Sequence, residues 1–302
     1  MTKTIGLDIG GTKIQGAVID ENGEILKTYR LETCAREGKD KVLENISKII
    51  EFLKTDEIEA IGVGTPGFID SENGIVTFAG NIDGWTGLNL KKELEKISGL
   101  PVFVENDANI ALVCEKWLGA GKGYNDIVMI TIGTGLGGAV YNEKMGLLSG
   151  SNFQGAELGH IILHPDGEYC TCGQSGCAES YCSGTAIVRH YEELTRNELN
   201  GEEIFKLAND DDDENAKKVI ERFTSDLAWF LTSLRNIFDP QLIIVGGGVI
   251  NSKDFWWNEV LENFKKYCHL SDKIEIKPAK FLNEAGVIGA GRIAMERLKN
   301  EW

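Results

Sequence analysis

The sequence contains no run approaching the roughly 18 consecutive apolar residues that a membrane-spanning helix requires. Its opening, Met1-Thr2-Lys3-Thr4-Ile5-Gly6-Leu7-Asp8, lacks an apolar h-region and reads straight into a strand, so no secretory leader is expected. Basic residues are scarce: 31 Lys and Arg stand against 47 Asp and Glu, a formal net charge of −16. A surface this acidic repels phosphate backbones and anionic lipids, so neither nucleic acid nor membrane is an expected partner. It does not exclude ATP, which a few backbone amides and a metal can hold locally. The Gly-x-x-x-x-Gly-Lys pattern of a P-loop is absent. The acidic run from Asp210 to Glu214 lacks the glycine and ligand spacing of a calcium loop, so it reads as a solvated segment.

What is present suits a globular protein. Hydrophobic residues make up 42% and charged residues 26% of the 302 positions, enough for one large or two ordinary domains. Three strands open the chain: Thr4 to Ile9, Ile14 to Ile19 after a Gly10-Gly11-Thr12-Lys13 turn, and Glu24 to Tyr29. A helix over about 41–54 presents Val42, Ile46, Ile49, Ile50 and Leu53 on one face. A buried strand at Ala60–Val63 follows, then a helix over 90–97 with Asn89 as cap and Gly99 as stop, then a strand at Val102–Val104 leading into a helix after Asn106-Asp107.

The opening pattern then recurs. Leu7-Asp8-Ile9-Gly10 matches Ile130-Thr131-Ile132-Gly133, and Gly16-Ala17-Val18 matches Gly138-Ala139-Val140 after a one-residue gap. Two strand–Gly-turn–strand units of this kind predict a duplicated α/β fold with a cleft between the halves. A long helix over about 216–238, a strand at Leu242–Val245 and a last helix over 285–298 complete the outline.

Chemistry concentrates in a few motifs. In Asp8-Ile9-Gly10-Gly11-Thr12-Lys13, glycines let backbone N–H groups approach phosphate oxygens, and Asp8 can hold a hydrated Mg²⁺; a plain hairpin with a surface Asp is the alternative. Gly133-Thr134-Gly135-Leu136-Gly137-Gly138 satisfies Gly-x-Gly-x-x-Gly, but strand-like Ala139-Val140-Tyr141 follows where a dinucleotide site needs a helix. It therefore reads as a second phosphate-gripping turn. Gly246-Gly247-Gly248 after a buried strand fits either a nucleoside site or a tight strand-to-helix turn.

Seven cysteines are present, and three crowd into Cys170-Thr171-Cys172-Gly173-Gln174-Ser175-Gly176-Cys177, with Cys182 just beyond. With His160 they form His-x9-Cys-x-Cys-x4-Cys, a structural Zn²⁺ set in which Gly173 and Gly176 let the chain wrap the ion; His164 competes with His160 as the fourth ligand. Cys34, Cys114 and Cys268 read as ordinary thiols. Glu157 and Glu179 flank the cluster and could offer oxygens to vicinal hydroxyls or simply face water. Asp107 could accept a hydroxyl proton or cap a helix.

Taken together, these residues resemble the ROK family of sugar kinases within the actin-like ATPase superfamily. The marks are Asp8 to Lys13, Glu157-Leu158-Gly159-His160, the run from Cys170 to Glu179, and Asp239-Pro240 ahead of Ile243 to Gly248. The resemblance implies a duplicated ribonuclease-H-like fold, with residues 1–117 and 286–302 as the smaller lobe and 118–285 as the larger. It implies ATP-dependent phosphorylation of a hexose at the 6-hydroxyl, glucose foremost and N-acetylmannosamine as runner-up, with Asp107 as general base. By it, Asn81, Asn106, Glu157, His160 and Glu179 bind the sugar, His160 while also ligating zinc with Cys170, Cys172 and Cys177. Asp8, Gly10, Gly11, Thr12, Lys13, Gly133, Thr134 and Gly135 would hold phosphates and Mg²⁺, and Gly247 and Gly248 the adenosine. A cytoplasmic homodimer or homotetramer serving glycolysis is the accompanying expectation. The family's transcriptional repressors carry a helix-turn-helix segment ahead of the Asp-x-Gly-Gly-Thr motif, for which a motif beginning at Asp8 leaves no room.

Overall fold

A computed structural model of the chain describes residues 2–210, 213–269 and 274–299. Of the acidic run Asp210–Glu214, residues 211 and 212 lie outside the described residues. The chain divides into two compact units, the first built from residues up to Gly123, Lys144–Gly155 and Asn283 onward, the second from Tyr124–Glu143 and Ala156–Leu282. Among the described residues no helix is long and apolar enough to cross a membrane.

In the first unit, β1 (Lys3–Ile9), β2 (Lys13–Ile19) and β3 (Ile25–Glu32) form an antiparallel meander. After α1 (Lys39–Leu53) comes β4 (Ile58–Thr65), then the short hairpin β5 (Phe68–Asp70) and β6 (Ile75–Phe78), α2 (Leu90–Ser98), β7 (Val102–Asn106) and α3 (Asp107–Leu118). The sheet order is β3-β2-β1-β4-β7, with β1, β4 and β7 parallel. The apolar stripe predicted on α1 is the one that buries: Val42, Ile46, Ile49 and Leu53 pack with Ile5, Leu7 and Ile14 in one core cluster. Asn89 caps α2 by accepting from Lys92 N–H at 3.0 Å, and Gly99 ends it in the left-handed conformation, as the sequence predicts.

The second unit repeats the plan. Here β8 (Asp126–Ile132) pairs antiparallel with β9 (Leu136–Asn142); the two-residue β10 (Gly146–Leu147), next along the chain, falls in the first unit. Helices α4 (Glu179–Cys182), α5 (Gly184–Thr195), α6 (Gly201–Asp210) and α7 (Glu214–Phe238) precede β11 (Leu242–Gly246), α8 (Trp257–Tyr267) and β12 (Glu275–Pro278). Strands β9, β8, β11 and β12 lie side by side in that order, with β8, β11 and β12 parallel. This is the order and sense of β2, β1, β4 and β7. The duplication read from two glycine turns thus extends through both sheets. The one-residue gap falls in the turn: Ile9 pairs with Ile14 across Gly10–Lys13, whereas Ile132 pairs with Leu136 across Gly133–Gly135.

The last helix, α9 (Ala285–Leu298), belongs to the first unit and lies against its sheet almost backbone to backbone. A Cβ at Gly6 would sit 1.9 Å from Val287 O, and one at Gly62 would sit 1.8 Å from Ala290 O. Neither neighbour can rotate away, since both are main-chain carbonyls. Gly62→Ala is therefore expected to push α9 off β4 and to destabilise the protein by about 1–3 kcal/mol or more, read as a lowered Tm.

Candidate functional site

In the first unit the glycine turn after β1 closes with Gly10 N–H donating to Lys13 O at 2.9 Å, and Thr33 braces it by donating from Oγ1 to Gly10 O at 2.6 Å. Nothing lies within 4 Å of where a Cβ on Gly11 would stand, so packing within the protein does not demand glycine there. Asp8 ends β1 beside this turn. Burial, and then repulsion from the Asp107 carboxylate, push its pKa up to about 6 against a smaller lowering by Lys13. Gly286 in the first turn of α9 backs onto the carboxylate, where a Cβ would lie 2.4 Å from Asp8 Oδ2.

The strand-to-helix junction at Asn106-Asp107 bears on both roles open to Asp107. The cap of α3 is Asn106, whose Oδ1 accepts from Ala108 N–H at 2.9 Å and Asn109 N–H at 3.3 Å. The same amide donates from Nδ2 to Gly67 O at 3.0 Å, leaving one amide N–H for a ligand. Asp107 occupies the first helical position and keeps solvent access, although its Oδ1 also accepts from Ala108 N–H at 2.9 Å. Protein crowded around it disfavours the charged form and raises its pKa. Asn81 is exposed in the segment anchored by Trp85, which is fully buried and donates from Nε1 to Thr65 Oγ1 at 3.0 Å.

In the second unit, Gly133, Thr134 and Gly248 line one cavity of about 480 Å³. Gly184, Thr185, Val188, Phe205 and Asn251 form much of the rest of its wall. The glycines divide by role. Gly133 and Gly248 have open space where a Cβ would stand, so a ligand can approach their main chain. Gly247 does not line the cavity. Its φ of 85°, and the Ile132 backbone 2.4 Å from where its Cβ would stand, make it a structural turn residue. The sequence offers little to mark the remaining lining residues, which come from α5, α6 and the 3₁₀ segment Gly248–Phe255.

The cysteine-rich loop brings its donors together. One ligand atom from each of His160, Cys170, Cys172 and Cys177 lies within 4.8 Å of the others. Cys172 Sγ and Cys177 Sγ are 3.6 Å apart, and Cys170 Sγ is 3.7 Å from His160 Nδ1. Thiolates at about 2.3 Å from a tetrahedral Zn²⁺ would stand ~3.8 Å from each other, so the donor set fits that ion and fills all its positions. Gly173 and Gly176, at φ 95° and 83°, supply the left-handed turns that wrap the loop. Burial and neighbouring thiols push Cys177 up to about 12, a state that a cation would reverse. His164 stands outside this cluster. Its Nε2 lies 2.7 Å from Asp226 Oδ1, so of the two histidines His160 is the one placed with the thiols. All seven cysteines are free of disulfides, and Cys182 is buried outside the cluster.

Glu157 is exposed immediately ahead of the 3₁₀ turn Leu158–His160, and Glu179 opens α4. Glu179 Oε2 accepts from Leu136 N–H at 2.9 Å, while its Oε1 is 3.7 Å from Cys170 Sγ.

A family model described as the ROK family matches residues 4–297. A glucokinase from Thermotoga maritima is 36% identical over 313 aligned positions, covering 98% of this chain and 98% of its own. A ROK hexokinase from Thermus thermophilus superposes with a TM-score of 0.89 at 34% identity, over 99% of this chain and 100% of its own. A ROK family glucokinase from Streptomyces griseus, solved in complex with glucose and AMPPNP, gives a TM-score of 0.83 at 33% identity, over 97% and 99% of the two chains.

Proposed function

The chain belongs to the ROK family, and on that premise we propose that it transfers the γ-phosphoryl group of ATP to the 6-hydroxyl of a hexose, glucose foremost. It is an ATP-dependent sugar kinase of the actin-like ATPase fold. The observation that carries the choice of glucose is the full-length likeness to glucokinases, one of them solved with glucose and an ATP analogue.

Asp107 acts as the general base. With the capping task held by Asn106, its carboxylate is available to a hydroxyl, and a raised pKa brings it nearer the range where a base works best at neutral pH. Asp8 would hold Mg²⁺: two mutually repelling carboxylates with little positive charge nearby fit a cation, which when bound offsets charge on the phosphates. Backbone N–H groups inside the Gly10–Lys13 and Gly133–Gly135 turns grip phosphate oxygens, apart from those of Gly10 and Gly133, which close the turns on Lys13 O and Gly135 O, and the cavity beside Gly248 takes the adenosine. Asn81, Asn106, Glu157, His160 and Glu179 hold the sugar, with zinc stiffening the loop that carries His160 and Glu179. Work in the cytoplasm as a homodimer or homotetramer belongs to the same reading, which seven cysteines free of disulfides support only as to compartment.

A coupled ADP-release assay over hexoses and acetylated hexosamines tests the assignment. Glucose is expected to give the highest kcat/KM, and turnover of none of them would refute it. The pH profile adds a check with a definite sign. Asp8 takes up a proton as pH falls through about 6, so kcat/KM for MgATP should fall about tenfold per unit below that value.

A further inference from the structure

Glu179 makes two contacts that a residue serving only the sugar would not need. Its Oε2 accepts the Leu136 N–H, the first amide beyond the Gly133–Gly135 turn, at 2.9 Å. Its Oε1 reaches Cys170 Sγ in the metal cluster at 3.7 Å. The other end of the turn is held from the same short segment, because Gly184 N–H, just past α4, donates to Gly133 O at 2.7 Å. Glu179, which opens α4, and Gly184, which opens α5, thus hold the phosphate turn at its two ends.

Three glycines make this clasp close. A Cβ at Gly135 would stand 2.4 Å from Glu179 Oε2. The φ of Gly135 is not positive, so a side chain there would not strain the backbone and would act by displacing the Glu179 carboxylate. A Cβ at Gly159, next to His160, would stand 2.0 Å from Leu136 O, and one at Gly138 would stand 2.5 Å from Leu158 Cγ and 2.7 Å from Ala156 O. The Leu136 peptide therefore has its N–H on Glu179 and its C=O against the turn that carries His160.

We propose that Glu179 and Gly135 form a latch between the phosphate turn and the metal loop, through which nucleotide and hexose binding reinforce each other. This rests on the reading that the turn holds phosphate and the loop holds the sugar. Phosphate on the turn's amides fixes the Leu136 N–H, and that N–H fixes the carboxylate facing the hexose. By thermodynamic reciprocity, hexose on the loop fixes the turn by the same factor. Toward the hexose Gly135 is a positioning residue in this scheme, since its own turn meets phosphate and neither the hexose nor its reacting hydroxyl.

The test is titration of glucose into the zinc-loaded protein, with and without AMPPNP. In the wild type, AMPPNP is expected to tighten glucose about fivefold or more. Gly135→Ala is expected to weaken glucose about tenfold even without nucleotide, and to bring the AMPPNP effect to about one. Glucose affinity in G135A equal to wild type, or no AMPPNP effect in the wild type, would overturn the latch. Glu157→Ala separates the layers: if it leaves glucose affinity untouched, the sugar is not held by this loop, and the underlying reading falls with the latch. Should G135A fail to fold, hydrogen exchange on the wild type decides. Glucose alone should slow exchange of the Leu136 amide about tenfold, and unchanged exchange would sink the proposal.

Discussion

Asp107→Asn is expected to lower kcat by about 10²–10⁴-fold while leaving glucose affinity within roughly threefold of wild type. The substitution spares the structure around it. Asn106 continues to cap α3 through Ala108 and Asn109, and the new amide oxygen can still accept from Ala108 N–H as Asp107 Oδ1 does. What disappears is the group able to take the hydroxyl proton. A second effect distinguishes this loss from general damage. Repulsion from Asp107 is one of the causes that lift Asp8 to about 6, so removing that charge should move the acid limb of the residual activity to lower pH. Stopped-flow or coupled ADP release measures kcat, and calorimetric titration of glucose measures affinity. A variant that retained wild-type kcat would show that the base lies elsewhere.

Cys177→Ser should be the most damaging change for the second unit. Cys177 is fully buried, and its Sγ stands 3.6 Å from Cys172 Sγ at the centre of the cluster. Loss of one thiolate from a four-donor set is expected to take bound zinc from one equivalent to none, read by a chromogenic chelator. A metal present at a thousandfold excess over its Kd stabilises the folded state by about 4 kcal/mol, and that contribution would be lost. Glucose affinity should fall by about a hundredfold or more, because the loop between His160 and Glu179 no longer has its pin. Prolonged chelation of the wild type should reproduce the result, whereas Cys34→Ser, far from the cluster in sequence and absent from it, should leave zinc content unchanged. Full glucose affinity in metal-free protein would refute the loop's role.

Periodicity explains which parts of this fold are legible in the sequence. The stripe of α1 is strong because one face of the helix is buried, and β1 alternates because Ile5, Leu7 and Ile9 enter the core while Gly6 on its other face meets the α9 backbone. The hairpin of β5 and β6 escapes notice because Phe68–Asp70 is too short to alternate. Helix α6 has only Ile204 and Phe205 as fully buried apolar side chains, too few to make a stripe. Strand β12, Glu275–Pro278, carries no core-like pattern at all. The site divides along the same line. His160 and the three cysteines are readable because metal geometry imposes local spacing, whereas a strand end running into a helix start leaves Asp107 open to either cap or base. The cavity wall is not readable, since Gly184, Phe205 and Asn251 come from separate stretches that only the fold brings together. The contact between Glu179 and Leu136 spans 43 positions and leaves no mark in either segment.

The seating of α9 on the backbones of Gly6 and Gly62 fixes an order of events during synthesis. At about 5–20 residues per second, Ala290 leaves the ribosome roughly ten to forty-five seconds after Gly62. Throughout that interval the nascent first sheet has one face without its final cover, and Val63 and Ile61, fully buried in the finished protein, lack part of their surroundings. The second unit waits less, since β8 meets β11 after about 115 residues, and its last strand β12 leaves shortly before α9. The sheet made earliest is therefore the last to be covered on that face, when α9 arrives.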